Sequence, residues 1–204
     1  KINSKLKKDL SLSEIEFSLF ENFPDASVTF SNVLIQESFQ NSSDTLLFAE
    51  KGIIKLNIFN VISQDYSVND VVFNKAIINI KYNKNGEVNF DILKDSTREN
   101  NNFELDNLDL TNSKFTFSNE SEKIYTSSEI ENIKLSLKQE NKKSICKING
   151  SLKNDFLVVN EVDYINDKDV SIISEIIISS DSIFITSPNL SIGGVNFKNL
   201  NFSY

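Results

Sequence analysis

Acidic side chains are the residues of this chain that could do chemistry, and several come in close pairs. The pairs are Glu14 and Glu16, Asp106 and Asp109, and Glu129 and Glu131. Two carboxylates held together can act as a general acid and base or bind a divalent cation. Each pair, however, falls at the polar positions of an alternating segment. The pattern therefore favours the solvated face of a sheet over a catalytic pair.

A second acidic group could bind calcium. Asp163, Asn166, Asp167 and Asp169 lie within seven positions of one another and offer the oxygen ligands that Ca²⁺ prefers. The segment lacks the glycine and the terminal glutamate of an EF-hand loop. It predicts a polar turn.

The remaining residue types exclude most catalytic sites. The chain has no histidine, which excludes a Ser-His-Asp or Cys-His arrangement and any histidine metal ligand. It contains no Walker loop and no G-x-G-x-x-G motif. Cys146 is the single cysteine, set between Ile145 and Ile148, and we expect it to pack as a small apolar side chain. We expect no enzymatic activity, no metal and no cofactor.

Charge and length narrow the class of partner. The chain of 204 residues carries a formal charge of −8, which argues against a nucleic-acid-binding surface. Its one basic cluster is Lys1, Lys5, Lys7 and Lys8, which indicates either a solvated terminus or a segment beside a membrane. No run of apolar residues is long enough to span a bilayer.

The segment from Asp44 to Leu93 carries the clearest structural pattern. Apolar and polar residues alternate with period two, which is typical of a sheet with one apolar face and one solvated face. The predicted strands are Ala49–Ile58, Tyr66–Phe73, Ala76–Tyr82 and Gly86–Leu93. Asn83 to Gly86 predicts the tight turn before the last of them. We expect one shared face for Ile54, Leu56, Ile58, Ile78, Ile80, Val88 and Phe90.

The rest of the chain repeats this pattern. Residues 1–10 place Ile2, Leu6 and Leu10 four apart, which predicts a short N-terminal helix. A second helical turn is predicted at 59–62, and a long polar loop at 95–102. Further strands are predicted at 14–19, 26–35 with a bulge at Ser31-Asn32, 103–110, 114–119, 130–137, 144–152, 156–165, 170–178, 181–186 and 190–204, with turns at Ser187-Pro188 and Gly193-Gly194. The fold class is mainly β, an antiparallel meander of about a dozen strands.

Three segments in order resemble the N-terminal region of the AsmA family of bacterial envelope proteins. They are LSLSEIEFSLFENFPDASVTFSNVLI, DTLLFAEKGIIKLNIFNVI and YSVNDVVFNKAIINIKYNKNGEVNFDIL. The resemblance covers residues 1–94, and residues 103–204 continue the β pattern. One departure is Lys75-Ala76, where the family often has proline.

The resemblance implies a β-sheet curled into an elongated open groove, on the periplasmic side of the inner membrane. The chain would form a single groove domain or part of a longer one, and an anchor helix would precede Lys1. The implied partners are phospholipids or other acyl-chain lipids, and the implied role is phospholipid transport or outer-membrane biogenesis.

The apolar positions of the strands are the candidate binding site. The expected lining residues are Ile54, Leu56, Ile58, Val71, Phe73, Ile78, Ile80, Tyr82, Val88, Phe90, Leu108, Leu110, Phe115, Phe117, Ile133, Leu135 and Leu137. Two interpretations remain open at this point. The face either holds acyl chains, or it is the filled core of a structural or adhesive module of the cell envelope.

Overall fold

The computed structural model describes residues 6–22, 25–57, 70–92, 94, 104–140, 143–179 and 181–203. Of these residues, 79% lie in strands and none in a helix. The eleven strands are β1 (Leu10–Ser11), β2 (Glu14–Asn22), β3 (Asp25–Gln36), β4 (Thr45–Asn57), β5 (Asp70–Tyr82), β6 (Glu104–Asn119), β7 (Ile124–Glu140), β8 (Lys143–Val159), β9 (Val162–Ile178), β10 (Ile183–Ile192) and β11 (Val195–Ser203).

All eleven strands belong to one open sheet. Its order follows the chain from β3 to β11, and β1 and β2 both pair with the outer edge of β3. Every pairing is antiparallel except β5 with β6, which is parallel. At ~4.8 Å per strand the sheet is about 43 Å wide. The predicted all-β class is therefore confirmed, while the purely antiparallel meander needs one correction.

The predicted N-terminal helix is wrong where the structure describes it. Leu6 forms an isolated bridge, and Leu10–Ser11 pairs with β3 opposite Ile35 and Leu34. Leu6 is buried and Leu10 packs against a buried cluster of the sheet, so packing overrides the four-residue spacing. Ile2 and the predicted helical turn at 59–62 lie outside the described residues.

The predicted strand Gly86–Leu93 is also wrong. The turn at Asn83 to Gly86 forms, but beyond it only Val88 makes a bridge, to Tyr82. Asn89 is fully buried and takes the place of a neighbouring strand. Its Oδ1 accepts from the Lys81 backbone N–H at 2.8 Å, and its Nδ2 donates to the Asn79 carbonyl at 2.8 Å. The Asn89 side chain thus caps the edge of β5 at residues 79–81. The next strand of the chain, β6, pairs with β5 in parallel.

Several predicted strand breaks are kinks inside longer strands. The strand β5 covers the described part of the predicted strand Tyr66–Phe73 and all of Ala76–Tyr82, and it bends at Lys75, whose φ is 51°. The strand β6 likewise covers two predicted strands and bends at Asn112, whose φ is 48°. At Asn32, where a bulge was predicted, φ is 51° and the pairing with β4 continues without a shift. These three kinks form a crease across the sheet.

A similar correction applies to Pro188. The sequence predicts a turn there, but β10 runs through it with a shift in register between Thr186 and Asn189. Proline has no N–H to donate to the neighbouring strand. The Ser187 hydroxyl instead donates to the Ile173 carbonyl at 2.9 Å. The chain turns at Gly193-Gly194, as predicted.

Two clusters of buried apolar residues lie on one side of the sheet. One cluster consists of Val33, Ala49 and Ala76, and the other of Leu110, Ile130 and Ile133. Phe73 and Ile78 pack against both clusters, so the two are continuous. We call this side the apolar face and the opposite side the polar face.

Candidate functional site

The apolar face is organised as rows of side chains that cross the sheet from strand to strand. One row runs without interruption from β3 to β11. Each member is the direct partner of the next: Phe30, Gly52, Phe73, Leu110, Ile133, Gly150, Ile172, Leu190 and Phe197. Because side chains of directly paired residues share a face, this register joins nine strands into one apolar surface.

Most of the predicted lining residues fall into this row and its neighbours. A second row holds Val28, Ile54, Val71, Leu108, Leu135 and Ile148. Beyond the crease, a third holds Ile35, Leu47, Ile78 and Phe115. Ile80 pairs with Phe117 in a fourth row. Leu56 is opposite Ala26, and Leu137 is opposite Leu105.

The far end of β5 places aromatic rings in contact. The Tyr82 ring lies 5.8 Å from that of Phe90 and 5.9 Å from that of Phe117, measured between centroids. Phe90 is 40% exposed and lies in a turn, so it joins the apolar face from a loop and not from a strand as predicted. Val88, the other predicted lining residue of that segment, forms an isolated bridge to Tyr82. Ile58 lies outside the described residues.

Small residues on the same face were not predicted. A Cβ on Gly52 would lie 3.0 Å from Cε1 of Phe73, and a Cβ on Gly150 would lie 2.1 Å from the Asn132 carbonyl oxygen. Ala49 and Ala76 face each other beside the crease and are almost fully buried. The signal in the sequence was the interruption of alternation by small residues, which marks close approach of neighbouring groups.

The polar face carries one polar row in the same register, although Leu34, Phe48 and Ile77 form an apolar row on it. A polar row runs beside the crease through Ser31, Lys51, Asn74, Thr111, Asn132, Ser151, Ser171, Ser191 and Asn196. At the crease itself, Lys75 Nζ lies 2.7 Å from Glu50 Oε2. The row beside the crease is therefore polar on one face of the sheet, and the neighbouring row is apolar on the other face.

The carboxylates considered for chemistry lie among opposite charges or hydrogen-bond donors. Glu129 is paired across strands with Lys114 and Lys153. Glu131 accepts from the Ser151 hydroxyl at 2.8 Å. Lys153 Nζ lies 2.8 Å from Asp167 Oδ1, and this hydrogen bond and charge lower the Asp167 pKa. These contacts account for the acidic groups as parts of a solvated sheet face.

The remaining acidic candidates do not cluster into a site. Glu14, Glu16, Asp106, Asp163 and Asp169 are exposed, and Asp109 is partly buried. Asn166 is exposed opposite Phe156. Among the described residues, no three histidine, cysteine, aspartate or glutamate side chains are placed to bind a metal ion.

One charged side chain is deeply buried, at the end of the sheet where β3, β4 and β5 meet. The Glu37 side chain is 3% exposed and lies 2.9 Å from Lys81 Nζ, which also contacts Asp44 at 2.8 Å. Burial opposes the charge of Glu37, but hydrogen bonds from Ser42, Lys81 and Asn89 outweigh it and lower its pKa below 4.5. For Lys81, burial is likewise outweighed by hydrogen bonds to Asp44 and Glu37, which raise its pKa above 10.5. This network fastens two loops to the sheet.

Cys146 lies on the apolar face, as a packed side chain. It is directly opposite Leu137 on one side and Ile176 on the other. Burial raises the pKa of its thiol above 9.0. A thiol of raised pKa is mostly protonated near neutral pH and is a poor nucleophile.

Comparison with known proteins gives no relative. No protein-family model, no curated protein and no solved structure matches the chain. The resemblance to the AsmA family thus rests on the sequence segments alone. Within the described ranges, no helix has the length and hydropathy needed to cross a membrane.

The apolar face is exposed at its margins. At one edge, Ile15 and Phe17 of β2 are both 60% exposed, although they pair with Phe30 and Val28 of the apolar face. At the other edge, Phe202 is 59% exposed. In the described part of the chain, no helix or second sheet covers these side chains. The arrangement offers apolar contact at both edges of the sheet.

Proposed function

We propose that this chain is a periplasmic β-groove segment of an AsmA-like envelope protein, which binds the acyl chains of lipids. In this proposal it contributes to phospholipid transport or outer-membrane biogenesis, and it catalyses no reaction. An anchor outside this chain holds it to the inner membrane. The single observation that carries the proposal is the apolar row that continues through nine strands from Phe30 to Phe197.

The surface area supports this proposal. The chain has 13296 Å² of accessible surface. A compact monomer of 23.2 kDa exposes about 9,700 Å². The excess is what a one-layer sheet produces, because each of its faces lacks a covering layer. A protein whose core is filled by its own chain would lie close to the compact value.

Burial at the centre of the apolar face supports the groove. Leu110, Ile130 and Ile133 are 4–6% exposed. On a flat single sheet these side chains would be open to solvent from above. Convergence of neighbouring side chains on the same face explains their burial, and a sheet curled toward that face brings them together. The crease at Lys75 and Asn112 is a local source of such bending, since left-handed residues redirect a strand.

Binding on this face needs no polar contact. Each CH₂ group that moves from water to an apolar surface contributes about 0.8 kcal/mol. A long acyl chain lying along one of the rows would thus bind usefully while its headgroup stays in water. The absence of headgroup selection suits a conduit, because no specific contact has to break for the lipid to move on.

A matched pair of variants on one strand tests the proposal. Ile80 lies on the apolar face opposite Phe117, whereas Ile77 points to the polar face and is 43% exposed. In native mass spectrometry of protein purified from cells, we expect bound lipid in the wild type and in Ile77→Glu. We expect its loss in Ile80→Glu, because a charge would then lie unpaired among apolar side chains.

Stability is measured in parallel, so that loss of lipid can be separated from loss of fold. If Ile80→Glu unfolds, the milder Ile80→Asn takes its place. Wild-type protein that carries no lipid from cells, and takes up none from added fatty acid, would contradict the proposal. That result would favour a structural or adhesive module of the envelope.

A further inference from the structure

The two open edges of the sheet carry opposite charges at the two ends of one row. Within the part of the chain that the structure describes, β2 pairs only with β3, and β11 pairs only with β10. Each of these strands therefore presents one edge to solvent. On the polar face, one row of directly paired residues begins at Glu16 on the edge of β2 and ends at Lys198 on the edge of β11.

Neither charge is balanced by its direct partner in the sheet. Glu16 pairs with Thr29, and Lys198 pairs with Asn189, so both partners are neutral. Both charged side chains are exposed. Glu14, on the same face of β2, adds a second exposed carboxylate to that edge. The edge of β2 is thus acidic and the edge of β11 is basic, which makes the two edges complementary in charge.

The neighbouring apolar row also ends at both edges. The row from Phe30 to Phe197 extends by one more pairing to Ile15 of β2. Ile15 is 60% exposed and Phe197 is 39% exposed. At both edges the apolar residue comes immediately before the charged one, as Ile15 before Glu16 and Phe197 before Lys198. The two edges therefore present matching positions in the same order along the strand.

The two edge strands run in the same direction. Nine pairings connect β2 to β11, of which eight are antiparallel and one, that of β5 with β6, is parallel. Eight reversals restore the starting direction. If two molecules lie side by side with their apolar faces on the same side, β11 of one and β2 of the other are therefore parallel. The chain already contains such a pair in β5 and β6.

We infer that a second copy of this chain pairs its β2 edge with the β11 edge of the first, in parallel and with the rows in register. Glu16 of one copy then lies opposite Lys198 of the other, and Ile15 lies opposite Phe197. Backbone N–H and C=O groups of the two edges supply the hydrogen bonds of the new strand pair. Because the contact joins unlike edges, it leaves an edge open at each end, and the assembly grows as an open chain of copies.

The charges select unlike edges over like ones. Two β2 edges placed together would gather Glu14 and Glu16 of both copies, and two β11 edges would contribute only positive charge. Like charges opposite each other destabilise a strand pair, whereas opposite charges stabilise it. Charged residues on edge strands commonly prevent uncontrolled pairing. Here they oppose the pairing of like edges and favour the contact of β11 with β2.

Edge pairing does not rest on the proposed lipid binding, because it uses backbone groups and the ends of the rows and needs no ligand. Together the two proposals would make the apolar row continue from Phe197 of one copy into Ile15 of the next. The apolar face would then lengthen with each added copy. Association is therefore measured on protein freed of lipid, and acyl-chain binding is measured separately on the charge variant Glu16→Lys.

The test is sedimentation velocity of the purified chain over a wide range of concentration. We expect species larger than a dimer that increase with concentration. Glu16→Lys places two lysines opposite each other, and Lys198→Glu places two glutamates opposite each other, so each should weaken association about tenfold. The double variant Glu16→Lys/Lys198→Glu restores an opposite pair in reversed order and should associate as the wild type does.

Two controls make the same changes of charge away from the edges. Glu122→Lys lies in the turn between β6 and β7, and Lys84→Glu lies in the turn after β5, both at exposed positions. Each should associate as the wild type does, and urea unfolding confirms that every variant is folded. Hydrogen–deuterium exchange gives a second readout. Amides of β2 and β11 should exchange more slowly in concentrated than in dilute protein, while those of β7 and β8 should not change.

A wild type that stays monomeric at every concentration would overturn the inference. Association that both single charge variants retain would point to stacking of apolar faces and would also overturn it, as would a double variant no better than the single ones. Loss of association in the two controls would show a general charge effect, with the same consequence. A monomeric wild type that holds acyl lipid leaves the proposed function intact. Edge pairing in protein that takes up no lipid supports the inference and removes only the proposed function.

Discussion

Phe73 and Ile78 pack against the same buried clusters, although they are five residues apart in one strand. Strict alternation would place residues at an odd spacing on opposite faces of the sheet. The positive φ of Lys75 between them redirects the strand and returns the second half to the first half's face. The continuity of the apolar face along β5 depends on this change of direction at Lys75.

The kink at Lys75 gives the first prediction. A β-branched residue tolerates φ of 51° poorly, so Lys75→Ile should lower the free energy of unfolding by about 1–2 kcal/mol. Lys75→Gly should change it by less than about 0.5 kcal/mol, since glycine fits the conformation and the lost ion pair to Glu50 is exposed. Urea unfolding measures both, with Lys114→Ile on the same face as the control. Equal stability of the Ile and Gly variants would contradict the kink.

The close contact between β7 and β8 at Gly150 gives the second prediction. A Cβ at this position would lie 2.1 Å from the Asn132 carbonyl oxygen and 2.8 Å from the Ile133 Cα. Both are backbone atoms, so Gly150→Ala should force the strands apart and cost about 1–3 kcal/mol or more. Gly86→Asn is the control, because nothing lies within 4 Å of its Cβ and asparagine accepts positive φ. The measurement is a thermal unfolding scan. Equal unfolding temperatures for Gly150→Ala and the wild type would contradict the close approach.

Period-two alternation was sufficient to predict the class of fold and most of the apolar face. Ile54, Leu108 and Leu135 fall in one row because each strand alternates correctly over its own length. The breaks between strands could not be predicted in this way. Polar residues such as Asn112 occur both in turns and at left-handed kinks, and only pairing with neighbouring strands distinguishes the two.

The failed prediction at Gly86–Leu93 has a different cause. Val88 and Phe90 alternate as in a strand, but the residue between them, Asn89, carries the decisive interactions. An asparagine side chain can mimic a peptide group and satisfy a strand edge. Its Nδ2 also donates to Glu37 Oε2 at 3.3 Å, and Glu37 lies 52 positions earlier in the chain, so no local pattern could reveal this contact.

The Glu37 network predicts a pH dependence. The folded-state pKa of Glu37 is lowered, so its contribution to stability is present above the unfolded value of 4.5 and is lost as pH falls through the folded value. Urea unfolding of the wild type should therefore show stability declining on acidification. The Glu37→Gln variant should decline less over the same range and be less stable near neutral pH. Parallel pH profiles for the two proteins would rule out this role for Glu37.

Site-specific quenching tests the central claim most directly. The chain has no tryptophan, so one introduced tryptophan reports a single position. Phe117 lies on the apolar face, and Tyr125 lies on the polar face of the adjacent strand, opposite Ser118. With a fatty acid brominated along its acyl chain, we expect strong, saturable quenching in Phe117→Trp and little in Tyr125→Trp. Equal quenching at both positions, or none at Phe117→Trp in a folded protein, would contradict acyl-chain binding on the apolar face.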